Sequence, residues 1–223
     1  MEINTDEELF SHLDEELAWR KRELSYIKYL IDTTSPTNLD FNLRIGVIFL
    51  YAHWQGYVNI AARYFVMYVK SQNLKYEELS DNLITASLKQ EFVRCWNTRK
   101  AREHHRIVNV LLNKLNDVAI LHENNAIQTG SNLDYDTFCE VIFTIGLDPG
   151  FYEAKEHLID DILLDKRHHI AHGDRNTVDK DEYLQLHKEI ILMLDSFHQQ
   201  IIDSATTQSY KKENITHPTQ TET

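Results

Sequence analysis

Arg167 and His172 stand in the string Leu164-Asp165-Lys166-Arg167-His168-His169-Ile170-Ala171-His172-Gly173-Asp174, near what reads as the end of a helix. A guanidinium presents a planar fork of donors that matches a phosphate. An imidazole exchanges a proton near neutral pH. A phosphate grip and a proton shuttle are the minimum equipment for cleaving RNA without a metal. On an ideal helix five steps of about 100° set the two residues about 140° apart, so they do not share a face. A single site would need the reach of the arginine, a distorted helix end or a second subunit. The other reading is structural: His172 caps a helix C-terminus before Gly173, and Arg167 is favoured there by the helix dipole.

His168 and His172 are four residues apart and lie on one side of a helix, a spacing that could hold a metal. The Glu that follows the first His in His-Glu-x-x-His sites is replaced by His169, so no metal is expected. His168 is better suited to orienting a phosphate or His172, with Lys166 as a further supporting residue. His169 is either an exposed bystander or part of the rim.

Residues 94–106 hold Arg94, Arg99, Lys100, Arg102 and Arg106 against the single acid Glu103, beside Trp96. Cations next to an aromatic suit an RNA strand through phosphate contacts and stacking. A solvated helix face, or a patch for an acidic partner protein, would look the same. In Tyr51-Ala52-His53-Trp54-Gln55-Gly56-Tyr57, Gly56 costs a helix about 1 kcal/mol relative to Ala and points to close packing there. His53 reads as a core histidine before a catalyst. There is no Gly-rich phosphate loop, nucleophile elbow or paired-carboxylate motif, and no cofactor is called for.

These residues need rigid elements to position them. Few of the 223 residues are Gly (6) or Pro (3), which argues for long helices and against a β-sandwich. A hydrophobic content of 42% can fill a core. The length suits one domain over 1–205 followed by a disordered tail over 206–223. Cys95 and Cys139 have neither metal nor disulfide spacing and read as reduced thiols of a cytoplasmic protein. The acidic N-terminus predicts no signal peptide, and no apolar run approaches the roughly 20 residues of a membrane helix. A net charge of −12 argues against a general nucleic-acid coat but not against a small catalytic site on an acidic body.

Thr5-x-x-Glu8 is a capping box, predicting a helix to about Asp32 with Leu9, Leu13, Leu17, Leu24, Ile27 and Ile31 as its stripe. Asp40 is expected to cap a second, central helix to about Gln72. Further helices are expected over 81–97 and 101–116, from Asn132 or Asp134 to Gly146, over 151–171, and from a cap at Asp179 to about Ala205. A short β-hairpin is expected near 118–129 around Glu123-Asn124-Asn125, and Tyr210 is expected in an exposed tail.

The Arg-x4-His string with its Leu163-Leu164-x-x-Arg167-x-x-Ile170-Ala171-His172-Gly173 context resembles the signature of the HEPN superfamily of all-α ribonucleases. Tyr51–Tyr57 and Ser131-Asn132-Leu133-Asp134 resemble its RiboL-PSP-HEPN branch, over roughly residues 5–205. The resemblance implies an all-α bundle with long antiparallel helices, a homodimer whose two motifs meet in one cleft, and RNA cleavage leaving a 2′,3′-cyclic phosphate. His172 would move the proton and Arg167 would hold the phosphate, in a toxin–antitoxin or anti-phage defence system restrained by a partner protein. Family members usually place a polar residue, often Asn, directly after the Arg; His168 here leaves open a non-catalytic module that binds RNA or nucleotide or scaffolds a complex. A third reading makes the motif the target of a modifying partner.

Overall fold

The computed structural model describes residues 2–175 and 177–212. It is an all-α bundle built on three long helices: α1 (Asp6–Thr33), α2 (Pro36–Ser71) and α8 (Lys180–Thr207). The shorter α3 (Asp81–Trp96), α4 (Ala101–Asn113), α5 (Glu123–Ala126), α6 (Tyr135–Ile145) and α7 (Asp165–Ala171) complete it. The local signals act where the residue types place them. The Thr5 hydroxyl accepts from the Glu8 N–H at 3.2 Å, while the Glu8 carboxylate accepts from the backbone of Thr5. This reciprocal pair closes the capping box. Asp134 caps α6 through the Thr137 N–H at 2.8 Å, and Gly146 ends it in the left-handed conformation at φ 71°. Both ends therefore follow the usual capping chemistry. Asp179 caps α8, accepting from Asp181 and Glu182.

The second helix begins earlier than its expected cap. Pro36 lies in its first turn. There the fixed φ of proline pre-organises the helix and the missing N–H is not needed. Asp40 is inside the helix and faces Arg44 at 3.5 Å.

Helix α2 is the centre of the molecule. Its buried residues include Leu43, Val47, Leu50, Tyr51, Trp54, Tyr57, Val58, Ala61, Phe65 and Val69, which cover most of its circumference. It is covered by α1 and α8 on one side and by α5, α6, α7 and the segment before α7 on the other. The stripe of α8 predicted from periodicity, Tyr183, Leu186, Ile190, Leu194, Phe197 and Ile201, is buried throughout. Helix α3 packs on α5 and α6 and carries α4, none of whose own residues is buried.

Other expectations are corrected. The hairpin near 118–129 does not form: among the described residues no strand is present, and this segment holds the single turn α5 and one isolated bridge, Lys75 to Val118. Its apolar side chains Leu121, Ala126 and Ile127 are buried against helices, which removes the need for a partner strand. The helix expected over 151–171 is three pieces: a 3-10 stretch (Gly150–Lys155), a π-helical stretch (Leu158–Leu164) and α7. The tail is ordered further than expected: α8 runs to Thr207, and Tyr210 is buried with its ring edge-on to Phe65 and Tyr68. The Ser80 N–H donates to the Tyr210 carbonyl at 2.9 Å, so Tyr210 is no exposed modification site. Residues 213–223 of the predicted tail lie outside the described residues. Finally, close helix packing occurs at Gly46, not at Gly56. A Cβ on Gly46 would stand 2.5 Å from the Tyr183 ring and 3.0 Å from Ile31, whereas one on Gly56 would meet nothing nearer than the Arg20 guanidinium at 3.4 Å.

Gly46→Ala is expected to destabilise the fold by about 1–2 kcal/mol, overpacking outweighing the gain in helix propensity, while Gly56→Ala is neutral or stabilising by up to about 1 kcal/mol. Urea unfolding of both variants checks this, and the same sign for the two would refute the packing account. Burial lowers the pKa of His53, His187 and His198 from their ordinary value of 6.5. The folded state therefore prefers them neutral. Their contribution is complete above the ordinary value and is lost as pH falls below it, by at most about 1.4 kcal/mol per pH unit per group. His169, whose pKa is raised by the neighbouring Asp174, acts in the opposite sense but is only half-buried, so solvent weakens its effect. Thermal unfolding between pH 7 and 5 should show falling stability, with a shallower slope in His187→Gln; a flat wild-type profile would contradict the assignment.

Candidate active site

Helix α7 carries the Arg-x4-His string and ends in a turn that its residues dictate. Gly173 takes φ 85°, a conformation that suits glycine. Its N–H donates to the Ile170 carbonyl at 3.1 Å, while the Asp174 N–H donates to the His169 carbonyl at 3.0 Å. This pair of bonds satisfies the last carbonyls and sets His172 at the C-terminal end of the helix, with its side chain exposed. The π-helical stretch just before α7 has wider turns than an α-helix and buries Ile159 and Leu163, four residues apart, against the core. Its Asp160 accepts from the Tyr135 N–H at 2.8 Å, tying this stretch to the start of α6, and burial raises the pKa of that carboxyl.

Arg167 follows Leu163 by a further four residues and is half-buried. Its guanidinium lies over the ring of Tyr51, with Cζ 4.7 Å from the ring centroid. One N–H donates to the side-chain oxygen of Asn132 at 3.2 Å. The Tyr51 hydroxyl accepts from the Leu133 N–H at 2.7 Å, and burial pushes the pKa of that hydroxyl up. Residues from three distant strings, 51–57 on α2, 131–134 before α6 and 164–174 on α7, thus meet around one cation. Nothing in the residue types marks Tyr51 and Asn132 for these roles; their only signal is that both lie in strings carrying the family resemblance.

The imidazoles of His168 and His172 are in contact, 4.4 Å apart between centroids with planes tilted by 56°. Arg167 turns toward α2, while His172 stands at the helix end, and no hydrogen bond joins the two. His169 sits between two carboxylates, with Nδ1 2.8 Å from Asp174 and Nε2 3.5 Å from Asp165. The hydrogen bond to Asp174 first, and the charge of Asp165 second, raise its pKa. It clamps the turn after His172. Lys166 reaches Glu182 in the first turn of α8 at 3.1 Å, an ion pair that braces α7 against α8. His53 is buried at the α1–α2 contact, between Trp19 and Phe49 and 3.1 Å from Glu23, as a core histidine.

The basic stretch forms the tip joining α3 to α4. Arg94, Arg99, Lys100, Arg102 and Arg106 are all exposed, and Trp96 is 92% exposed. Arg94 contacts Glu91 at 3.7 Å and Arg106 contacts Glu103 at 3.0 Å. Such exposed pairs are weak, and they leave the tip cationic. His104 Nε2 lies within hydrogen-bond distance of the Cys95 and Thr98 carbonyls, at 3.2 and 3.1 Å, and closes the turn. This tip is carried on α3, while Arg167 and His172 are carried on α7 against α2. Among the described residues no helix is long and apolar enough to cross a membrane.

Neither a curated protein nor a solved structure matches the chain significantly. The family model described as RiboL-PSP-HEPN matches residues 15–203, a span that takes in every residue gathered around Arg167 and most of the all-α bundle. The chain belongs to the RiboL-PSP-HEPN family.

Proposed function

We propose that this protein is a metal-independent endoribonuclease whose reaction is carried by Arg167 and His172. Membership of the family suggests an RNA-related function. The observation that carries the finer reading is the held guanidinium of Arg167 next to a helix end that leaves His172 open to solvent. Arg167 grips the scissile phosphate and stabilises charge on its oxygens as the attack proceeds. His172 takes the proton of the ribose 2′-hydroxyl; the 2′ oxygen bonds to phosphorus, the bond to the 5′ oxygen breaks, and an imidazolium returns a proton to that oxygen. The products are a 2′,3′-cyclic phosphate and a 5′-hydroxyl end. His168, packed at a tilt against His172, restricts the orientation of its ring; Lys166, paired with Glu182, braces the helix.

One chain supplies the His172 imidazole at the helix end and an arginine turned away from it, which favours a homodimer in which two motifs share a cleft. A mainly apolar groove beside the motif helix, lined by Phe41, Arg44, Ile45, Ile48, Phe49 and Ile170, offers surface for such a contact. The exposed arginines and Trp96 of the α3–α4 tip suit approach of an RNA strand. The setting is a toxin–antitoxin or defence system in the cytoplasm, with a partner protein as restraint. The competing reading, a module that binds RNA without cutting it, is favoured by His168 standing where family members usually carry Asn.

Purified protein should cleave cellular RNA in excess EDTA and leave cyclic-phosphate ends. Arg167→Ala and His172→Ala should each lower cleavage by about 100-fold or more with the circular dichroism spectrum unchanged. Full activity in both variants would sink the assignment, and binding without cleavage by the folded wild type would establish the competing reading. Sedimentation equilibrium should report a dimer, and mixing the two inactive variants should restore part of the activity if the cleft is shared.

A further inference from the structure

An arginine side chain is long and loses rotamer freedom when it is fixed. Arg167 is fixed before any ligand arrives, from two directions: the Tyr51 ring under its plane at 4.7 Å, and the Asn132 amide oxygen at its edge at 3.2 Å. The same Tyr51 acts a second time. Its hydroxyl accepts from the Leu133 N–H at 2.7 Å, and Leu133 is the neighbour of Asn132, so the ring that floors the guanidinium also anchors the loop that supplies its edge contact. One turn on along α2, the Gln55 amide donates to the Ser131 carbonyl at 3.5 Å and adds a second tether to that loop. Neither of these two partners carries a charge. A guanidinium has five N–H donors. An amide oxygen takes one and leaves the positive charge unneutralised, where a carboxylate would compete with a phosphate for it.

We propose that Tyr51 and Asn132 are positioning residues for Arg167, and that their neutrality keeps the cation available to a phosphodiester. The activity arm of the test rests on the ribonuclease reading; the spectroscopic arm does not. In protein labelled with 15N-arginine, the Arg167 Nε–Hε signal, assigned through Arg167→Lys, should be displaced upfield by the Tyr51 ring. Tyr51→Phe should keep that displacement and Tyr51→Leu should remove it. On an oligonucleotide substrate, Asn132→Ala should lower kcat/KM by about tenfold. Asn132→Asp, which would hold the arginine more tightly, should instead raise KM further, a result opposite to that of a merely structural contact rescued by its closest replacement. Tyr51→Phe combined with Asn132→Ala should be no worse than Asn132→Ala alone, because both remove the same edge contact. An unshifted Arg167 signal in the wild type, wild-type activity in Asn132→Asp, or multiplied losses in the double variant would overturn the proposal. Should the wild type cleave nothing yet show the displaced, Tyr51-dependent signal, the held arginine stands and the ribonuclease reading falls.

Discussion

Helix α2 is apolar around most of its circumference, and the rest of the structure is the means of keeping water from it. A helix with one apolar stripe can rest on a single neighbour; one that buries Leu50, Tyr51, Trp54, Tyr57, Val58 and Ala61 within a few turns has to be enclosed. Gly46 permits α8 and α1 to close on one side through Tyr183 and Ile31. The other side is left to shorter, less regular elements, and the motif helix is one of them. Tyr51 links the two tasks: a core side chain of α2 doubles as the floor for Arg167, so the candidate site is built on the central element of the fold.

The irregular segment before α7 bears on the aim of that helix. A regular α-helix from 151 to 171 would place Ile159, Leu163 and Arg167 on a drifting stripe, each step of four residues turning about 40°. The π-helical stretch counters that drift, and Ile159 and Leu163 both remain in the core. Asp160 anchors the stretch by accepting from the start of α6, the helix just beyond Asn132. Arg167 and Asn132 are therefore held in register through the same junction that caps α6.

Charge is distributed in the same local way. On a chain of net charge −12, cations gather at the α3–α4 tip, whereas around α7 Lys166 and Arg167 stand among Asp160, Asp161, Asp165 and Asp174. Such an island acts over roughly a Debye length, about 8 Å at physiological salt. The histidines divide: His53 and His187 are buried and His198 half-buried, and burial lowers the pKa of all three, while His168, His169 and His172 crowd the end of the motif helix.

Local chemistry made much of the fold legible in the residues themselves. The capping box at Thr5, the caps at Asp134 and Asp179, the glycine stops at Gly146 and Gly173, and the apolar stripes of α1 and α8 depend on interactions within a few residues, so the sequence alone determined them. The Arg-x4-His string was legible for the same reason. Partners far apart in the chain were chosen only by tertiary structure. Leu121 and Ile127 find helices instead of a paired strand, and Tyr210 is drawn into the core by Phe65 and Tyr68. Lys166 is committed to Glu182, and Arg167 is placed between Tyr51 and Asn132, side chains from two other parts of the chain. Periodicity and capping report the energy of a residue with its near neighbours; which distant side chain completes a site depends on how whole helices pack, and that is settled by burying α2 on every side.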